Sequence, residues 1–466
     1  MANKPSIPKG TRDFSPRAVV RRNHIFSTIQ SVFESHGYQP IETPAMETLE
    51  TLLGKYGEEG DKLIFRILNS GDYLGKSGIH ELIRGNQHAE DLSDASRELA
   101  GRITEKALRY DLTVPFARYV VQHRNEITLP FRRYQIQPVW RADRPQKGRY
   151  REFIQCDVDV IGSDSLINEV ELLSIIDRVF ALLDIKVSIR VNNRKVLAGL
   201  ASFIQSSEKL TDLTVAIDKL DKIGEDGVRA ELIEKGIDQN QVDKLMPLIG
   251  EKGSWRDLSK RLEPLFIANE TAMKGLQEIG TVFSLADEIG IKAELVFDLS
   301  LARGLSYYTG AIIEVKVTET EMGSVCGGGR YDNLTGIFGM PDMSGVGVSF
   351  GADRIYDVLE TLNRFPATSH LLTQVIILNF GDEFLTDCFK LASDLRQLDL
   401  KVEVYPDAAK VKKQMQYADA NQIPLVIMMG EDEKAAGSVT LKDMRTGKQQ
   451  LIPLINLHNI IPEWIA

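Results

Sequence analysis

Polar and apolar residues alternate along two neighbouring stretches of the chain between Phe131 and Gly162. A period of two places successive side chains on opposite faces of a strand. The pattern therefore predicts an antiparallel hairpin with one buried face and one wet face. The residues predicted on the wet face are Arg141, Phe153, Gln155, Asp157 and Asp159. The loop that joins the two strands carries Arg144, Lys147, Arg149 and Arg151.

A helical pattern precedes this hairpin near the start of the chain. Ser15 and Pro16 are typical of a helix start, because a hydroxyl can cap the first turn and proline fits its first position. Apolar residues then recur at the spacing of one helix face, and Gly37 ends the predicted helix. Residues 67–103 are polar and rich in Gly, Ser and Asp, and we interpret them as a long excursion from the core.

The middle of the chain changes pattern twice. Residues 194–286 show short apolar repeats among mixed charges, which predicts a small helical module. Extended segments return at 294–297 and 312–317. A later strand at 345–351 opens into a helix that runs through Arg354.

The last part of the chain has a different organisation. After a linker that contains Pro366, strands and helices alternate, a pattern typical of a parallel α/β sheet. The patterns together predict two sheet-forming parts at 1–193 and 289–363, a helical insertion at 194–288 and a separate domain at 370–466.

Charge is distributed unevenly along the 466 residues. The whole chain carries 56 basic and 66 acidic residues, a net charge of −10, so a polyanionic partner must be met by local basic patches. The stretch 131–151 contains seven basic residues and one acid, Asp143. Arginine forks match phosphate oxygens, and Asp157 and Asp159 share a face with Arg141. We interpret this mixture as a site for two unlike substrates, one phosphorylated and one cationic, rather than as a solvated hairpin tip.

Several common designs are excluded. The glycine spacings fit neither the dinucleotide fingerprint nor the GxxxxGK[ST] loop. The three cysteines form no CxxC pair, which makes a zinc site or a disulfide framework unlikely and suits a reducing cytosol. No run of 18 apolar residues occurs and the first residues lack a signal core, so we expect a cytoplasmic protein without membrane spans.

Three motifs leave alternatives open. Asp111-Leu112-Thr113 either caps a helix or presents a carboxylate and a hydroxyl to an α-amino group. The stretch 303–310 offers one arginine and two tyrosines, which are either orienting groups or amphipathic core residues. The glycines of the strand at 345–351 allow either close approach of a flat ligand or tight packing.

These motifs together resemble those of the histidyl-tRNA synthetase family, within the class II aminoacyl-tRNA synthetases, nearly from end to end. Residues 9–13 with the following helix resemble the first class II motif, 140–153 the second, and 347–354 the third. The stretches 303–308 and 326–332 resemble the two histidine-specific motifs. The resemblance implies an α+β catalytic domain, with an antiparallel sheet flanked by helices and a helical insertion, followed by a C-terminal α/β anticodon-binding domain.

The resemblance also implies residue roles. Histidine would be bound by Asp111, Leu112, Thr113, Arg141, Gln155, Asp159, Arg303, Tyr307 and Tyr308. ATP would be bound by Arg141, Asp143, Arg149, Phe153 and Arg354. Arg303 and Arg141 would be catalytic, ATP would bring Mg²⁺, and no metal ligands are assigned. Ser306 stands where the family usually has Asp.

The implied function is activation of L-histidine with ATP, followed by transfer to tRNA(His) by a homodimer. The C-terminal lysines Lys410, Lys412 and Lys413 are candidate phosphate contacts. One alternative is a regulatory paralogue that binds histidine without charging tRNA. A second is another class II synthetase with the same type of C-terminal domain, against which the paired tyrosines and the Cys-Gly-Gly-Gly-Arg segment argue.

Overall fold

A computed structural model describes residues 4–56, 60–76, 96, 98–146, 148–251, 253–302, 307–366 and 372–465. Contacts within the chain divide it into two units, Met1–Asp13 with Ile25–Arg364 and Phe14–His24 with Phe365–Ala466. Among the described residues, no helix has both the length and the apolar character needed to cross a membrane. The boundaries of the four predicted parts stay predictions.

The first unit is built around one large sheet. Its strands, with those of a smaller sheet, are β1 Gln39–Pro40, β2 Met46–Thr48, β3 Arg66–Ile67, β4 Lys106–Leu108, β5 Phe131–Trp140, β6 Glu152–Ile161, β7 Val187–Asn193, β8 Glu294–Phe297, β9 Ala311–Val317, β10 Cys326–Tyr331 and β11 Gly345–Gly351. The large sheet has the order β1-β5-β6-β11-β10-β9-β7-β8, and β2-β4-β3 form the small one. Neighbours in the large sheet are antiparallel except in the two edge pairs, β1 with β5 and β7 with β8.

The predicted hairpin is confirmed as β5 and β6 at one side of this sheet. Its register sets Arg133 opposite Asp159 and Gln137 opposite Gln155. Polar side chains of both strands therefore share one face, since side chains alternate across a strand.

The opposite face of the large sheet packs against helices. Phe350 of β11 lies 5.7 Å from the ring of Phe33 and 5.8 Å from that of Phe180, which belong to two of these helices. All three rings are buried, so the hydrophobic effect fixes the helices on this face and leaves the other face for the site. The helices of the unit outside the insertion are Pro16–Ser35 (whose first residues group with the second unit), Leu49–Leu52, Tyr73–Lys76, Thr113–Gln122, Ile167–Leu182 and Ala352–Thr361, with a 3₁₀ turn at Leu334–Phe338.

The predicted helical module is confirmed between β7 and β8. Asn193 caps its first helix by accepting from the N–H of Lys195, and Asn269 caps the last by accepting from the N–H of Ala272. The last helix ends at Gly290, whose φ of 76° suits a residue without Cβ. The module comprises Arg194–Phe203, a 3₁₀ turn at Ser207–Lys209, Leu210–Ile217, Leu220–Glu234, Gln239–Ile249, Trp255–Phe266 and Glu270–Ile289.

The sheet of the second unit is only partly the parallel sheet that the sequence predicts. Its strands are β12 Val375–Ile377, β13 Val402–Val404, β14 Leu425–Met428, β15 Ser438–Asp443 and β16 Gln449–Pro453. The order is β13-β12-β14-β15-β16, in which β13, β12 and β14 are parallel but β15 and β16 are antiparallel. The prediction of a parallel sheet is therefore wrong for its second half, because a short turn without a crossover helix joins β15 to β16. The helices are Asp382–Arg396, Val411–Ala420, Glu431–Ala435 and Leu457–Ile465, with a 3₁₀ turn at Leu454–Asn456.

Candidate active site

A cavity of about 940 Å³ opens on the face of the large sheet away from the packed helices. Strands β6, β10 and β11 form its floor, the loop between β5 and β6 forms one wall, and residues 217–222 of the helical module line another side. The predicted site residues that the structure describes all line this cavity, with the exception of Leu112, which is fully buried. Arg303, Ser306 and Lys147 lie outside the described residues.

Strand β6 supplies the central row of polar side chains. Phe153, Gln155, Asp157 and Asp159 all line the cavity, as the alternation predicts. The expectation that this face is wet is wrong at its inner end, where Gln155, Asp157 and Asp159 are 8%, 2% and 3% exposed. Alternation separates two faces of a strand, but it does not distinguish a solvent-exposed face from the floor of a deep cavity.

Two acceptor atoms on this row, Gln155 Oε1 and Asp157 Oδ1, have no partner in the described part of the chain. A third, Asp159 Oδ2, accepts no hydrogen bond there but lies beside Arg133 in an ion pair. A buried acceptor without a partner costs about 1–3 kcal/mol, so native structures rarely keep such atoms together without a reason. The row is suited to a ligand that brings several N–H donors.

Both oxygens of Asp159 have a neighbour. Tyr331 of β10 donates its hydroxyl to Asp159 Oδ1 at 2.6 Å, and Arg133 Nη2 lies 2.8 Å from Oδ2 in an ion pair. Burial raises the pKa of Asp159, and the Arg133 charge and the Tyr331 hydroxyl oppose that shift. Burial also raises the pKa of Asp157, against the effect of Arg133.

The glycines of β11 make room for this arrangement. A Cβ at Gly347 would overlap Asp159 Oδ1, and one at Gly345 would overlap the ring of Tyr331. Of the two alternatives left open by the sequence, tight packing therefore holds at both positions. Gly351 differs, because a Cβ there would meet its nearest atom, Val325 O, at 3.5 Å.

Asp111 lies beside this row at the start of the helix Thr113–Gln122. Its Oδ1 accepts from the Val114 N–H at 3.2 Å and from the Tyr56 hydroxyl at 3.0 Å. Burial raises the pKa of Asp111, and the Val114 bond opposes this. Asp111 thus both caps the helix and lines the cavity, together with Thr113.

The paired tyrosines complete this end of the cavity. The rings of Tyr307 and Tyr308 lie 4.9 Å apart, and Tyr307 meets the ring of Tyr331 edge-on at 6.4 Å. Burial raises the pKa of Tyr307 well above its ordinary value, so its hydroxyl stays protonated at neutral pH. The tyrosines therefore pack into the structure and also line the cavity.

The other end of the cavity is basic and aromatic. The Arg141 guanidinium lies 4.2 Å from the Tyr110 ring and 5.2 Å from the Phe153 ring, and its Nε donates to Tyr110 O at 3.1 Å. Arg149 Nε lies 3.6 Å from Asp143 Oδ2, with 45% of its side chain exposed. Planar guanidinium groups and an aromatic face are suited to phosphate and to a flat ring.

Arg354 closes this basic end from the third motif. Its Nε donates to Gly148 O at 2.9 Å and its Nη1 to Ser324 O at 2.5 Å, which ties the β5–β6 loop to the segment before β10. Next to it, Asp353 pairs with Arg12 and accepts from the Ile154 N–H at 3.0 Å. The basic end is thus assembled from segments far apart in sequence.

Sequence reasoning missed several residues of the site. Arg133 falls on the same alternating face as Arg141, so the sequence pattern predicts which face it occupies. The pattern does not predict that Arg133 pairs with Asp159. Tyr331 lies in a motif noted for its glycines, and no sequence signal pointed to Tyr56. The cavity also receives Asp221 of the helical module, which pairs with Lys316 of β9. A contact between elements so far apart leaves no local signal.

The described residues contain no group of three or more His, Cys, Asp and Glu side chains that could hold a metal ion. Of the acids that line the cavity, Asp159 contacts Arg133 and Tyr331, Asp111 contacts Tyr56, and Asp143 contacts Arg149.

Comparison with known families agrees with this geometry. The family model of histidyl-tRNA synthetase matches residues 10–77 and 89–355, and that of the anticodon binding domain matches residues 374–464. The chain belongs to the histidyl-tRNA synthetase family. Its curated relatives include the histidine–tRNA ligase of Phocaeicola vulgatus, 55% identical over 452 residues that cover 97% of this chain and 98% of that protein. The histidine–tRNA ligase of Porphyromonas gingivalis is 56% identical over 450 residues, 97% of each chain.

Solved structures of the family share the fold. Histidyl-tRNA synthetase from Nostoc sp. PCC 7120 superposes with a TM-score of 0.81 at 31% identity, covering 99% of this chain and 100% of that one. The α+β fold and the C-terminal anticodon-binding domain expected from the resemblance are confirmed. The named relatives support the synthetase over the regulatory alternative.

Proposed function

We propose that this chain is a histidine–tRNA ligase that activates L-histidine with ATP and then transfers the histidyl group to tRNA(His). The observation that carries the proposal is the division of one cavity into two unlike ends. Buried acceptors, among them the partnerless Gln155 Oε1 and Asp157 Oδ1 of the described residues, line one end, and arginines with an aromatic ring line the other. An amino acid with several N–H donors and a nucleoside triphosphate fit these two ends.

The acidic end supports binding of histidine. Asp111, Thr113 and Gln155 would accept hydrogen bonds from the α-ammonium group. Asp159 would accept from one imidazole nitrogen, while Tyr308, next to Tyr307, would donate to the other. Neutral imidazole needs one acceptor and one donor, and an apolar amino acid would leave both groups unpaired. Leu112, although buried, would contribute through its backbone.

The basic end supports binding of ATP. Phe153 would stack on the adenine ring, and Asp143 would accept from the adenine amino group. Arg149 and Arg354 would hold the outer phosphates. By family resemblance, Arg141, which lines the same cavity, would contact both the histidine carboxylate and the α-phosphate.

The chemistry is then a displacement at phosphorus. A carboxylate oxygen of histidine forms a bond to the α-phosphorus, the bond to pyrophosphate breaks, and histidyl-adenylate remains. A ribose hydroxyl of tRNA next attacks the acyl carbon and AMP leaves. Catalysis rests on positioning and on the charge of Arg141 and Arg303, the latter by family resemblance. Magnesium would accompany the phosphates of ATP, which it binds together with few protein ligands.

Family resemblance also supports a homodimer that acts in the cytoplasm and reads tRNA(His) through its C-terminal domain. Lys410, Lys412 and Lys413 on or next to the helix Val411–Ala420 are candidate phosphate contacts there.

The first test is ATP–pyrophosphate exchange by the purified protein with each of the twenty amino acids and no tRNA. We expect exchange with histidine alone, followed by charging of a tRNA(His) transcript. Exchange with another amino acid would contradict the assignment of Asp159 and Tyr308. Histidine binding without exchange would instead favour the regulatory alternative, and reversion of Ser306→Asp would then be the next variant.

A further inference from the structure

Arg133 is the largest buried group of the site with no assigned role. Its side chain is fully buried, and its guanidinium lies 4.2 Å from the ring of Phe116. The ring prevents the guanidinium from moving away from the cavity floor. Its Nη2 lies 2.8 Å from Asp159 Oδ2, and its Nη1 donates to Gln135 Oε1 at a long 3.4 Å.

Among the described residues around Asp159, Arg133 is its one cationic neighbour. Asp157 is a second buried carboxylate on the same strand, and the buried Asp111 acts electrostatically on Asp157. The other titratable groups that face this cluster are Tyr331 from β10 and Tyr38 from behind the sheet. Gly347, across from Asp159 on β11, adds no charge.

Two carboxylates this close compete to remain ionised. Without a cation, burial and mutual repulsion would keep at least one of them protonated near neutral pH. A protonated Asp159 would be a weaker acceptor for an imidazole N–H, because charge-assisted hydrogen bonds are the stronger ones.

We propose that Arg133 is a positioning residue that holds Asp159 ionised and oriented toward the imidazole, and thereby sets the pH range over which histidine is selected. The inference rests on the proposed function, since it concerns how that site recognises its amino acid. It assigns Arg133 no contact with histidine or ATP. The register of the hairpin makes the arrangement possible, because it sets Arg133 directly opposite Asp159.

The test is the pH profile of KM for histidine and for ATP in pyrophosphate exchange, from pH 6 to pH 9, for wild type and three variants. Each variant is compared with wild type at the same pH, so titration of free histidine cancels. Arg133→Gln should move the midpoint of the histidine KM profile up by about one pH unit, which raises KM about tenfold at pH values below the wild-type midpoint and by a smaller factor above it. KM for ATP should change less than about twofold, because Arg133 is remote from the residues proposed to bind ATP.

Asp157→Asn provides the opposite perturbation. Removing the competing carboxylate should move the same midpoint down, by about half a pH unit or more. This variant also keeps the test valid if Arg133→Gln fails to fold, since it removes a charge without leaving an unpaired cation.

Arg132→Gln is the matched control. Arg132 is the neighbouring residue on the same strand, points to the other face and pairs with Glu171 at 2.6 Å. Its loss removes an equal charge and an ion pair with a carboxylate, though a more exposed pair on the other face of the strand, so it should leave the histidine midpoint where it is. A purely structural role for Arg133 would lower the melting temperature and leave the pH midpoints of all variants alike.

The outcomes separate this inference from the proposed function. If wild type exchanges with histidine but Arg133→Gln and Asp157→Asn do not shift the midpoint in opposite directions, the role of Arg133 is overturned and the ligase stands. An equal rise in both KM values for Arg133→Gln overturns it as well. If wild type shows no exchange with histidine, the proposed function itself fails.

Discussion

The two ends of the cavity hold their charged groups by different means. At the acidic end, Asp159 and its partner Arg133 are almost fully buried and fixed by neighbours on three strands. At the basic end, Arg149 keeps 45% of its side chain exposed. Buried, fixed groups reject a ligand that leaves them unpaired, whereas exposed arginines bind any suitable phosphate. If the proposed function holds, discrimination would lie at the acidic end and general affinity at the basic end.

The largest expected loss of histidine activation comes from filling the space beside Asp159 at the acidic end. Gly347→Ala should lower kcat/KM for histidine by about 1,000-fold, because the new Cβ displaces the carboxylate that the site holds in place. KM for ATP should change little. The measurement is pyrophosphate exchange at varied histidine and ATP.

Gly351→Ala is the matched control. Gly351 belongs to the same strand as Gly347, but a Cβ there would meet no atom closer than 3.5 Å. Circular dichroism and melting curves would show that both variants fold. Similar kinetics for the two alanine variants would mean that Asp159 needs no such space.

A smaller change removes only the charge of Asp159. Asp159→Asn keeps the shape of the side chain, and we expect KM for histidine to rise about 100-fold because Arg133 loses its partner and imidazole loses a charged acceptor. KM for ATP should stay within about twofold. Equal increases in the two KM values would remove Asp159 from imidazole recognition.

Substitutions at the basic end should change KM less than substitutions at the acidic end. Arg354→Ala is expected to raise KM for ATP about tenfold, with KM for histidine nearly unchanged, because one of several phosphate-binding arginines is lost. Arg144→Ala is the control, because Arg144 belongs to the β5–β6 loop that Arg354 contacts but is exposed and does not line the cavity. A rise in KM for histidine as large as that for ATP would show that the two ends are not separate.

The last expected effect is on stability and not on activity. Burial raises the pKa of Asp157 to about 7. The folded state therefore holds this proton more tightly than the unfolded state does. The stability that results is fully present below pH 4 and is lost as pH rises toward 7. Between pH 5 and pH 8, wild type should lose about 2–3 kcal/mol relative to Asp157→Asn, because the two pH units from 5 to 7 count about 1.4 kcal/mol each. Urea unfolding at the two pH values measures this, and parallel pH dependences would contradict it.

The sequence predicts the hairpin and its cavity-facing row because both depend on local alternation. Arg141, Phe153, Gln155 and Asp159 line the cavity as that alternation indicates. The depth of the row could not be predicted, because burial depends on strands β10 and β11 and on the helical module above them. The assignment of individual contacts to substrates rests on family resemblance and stays a proposal.

Other parts of the structure escaped prediction for identifiable reasons. The strands β15 and β16 carry only a few buried apolar residues, among them Val439, Leu441 and Ile452, which gives a weak pattern. In the sequence, Arg133 is one more basic residue of a basic stretch. Only the structure shows that it lies opposite Asp159. The pairing of Asp221 with Lys316 joins residues far apart in sequence and has no local signature.

Strand β6 carries side chains from both ends of the cavity on one stretch of backbone. Phe153 and Asp159 lie on one face of it, and at about 3.4 Å per residue they stand about 20 Å apart. This strand therefore fixes the distance between the two ends of the cavity, and with it the combined length of nucleotide and amino acid that fits. Replacement of single residues leaves this distance unchanged, but insertion or deletion of one residue would turn every later side chain to the opposite face. Differences in length between related chains should consequently be confined to the loops, and never occur between Phe153 and Asp159.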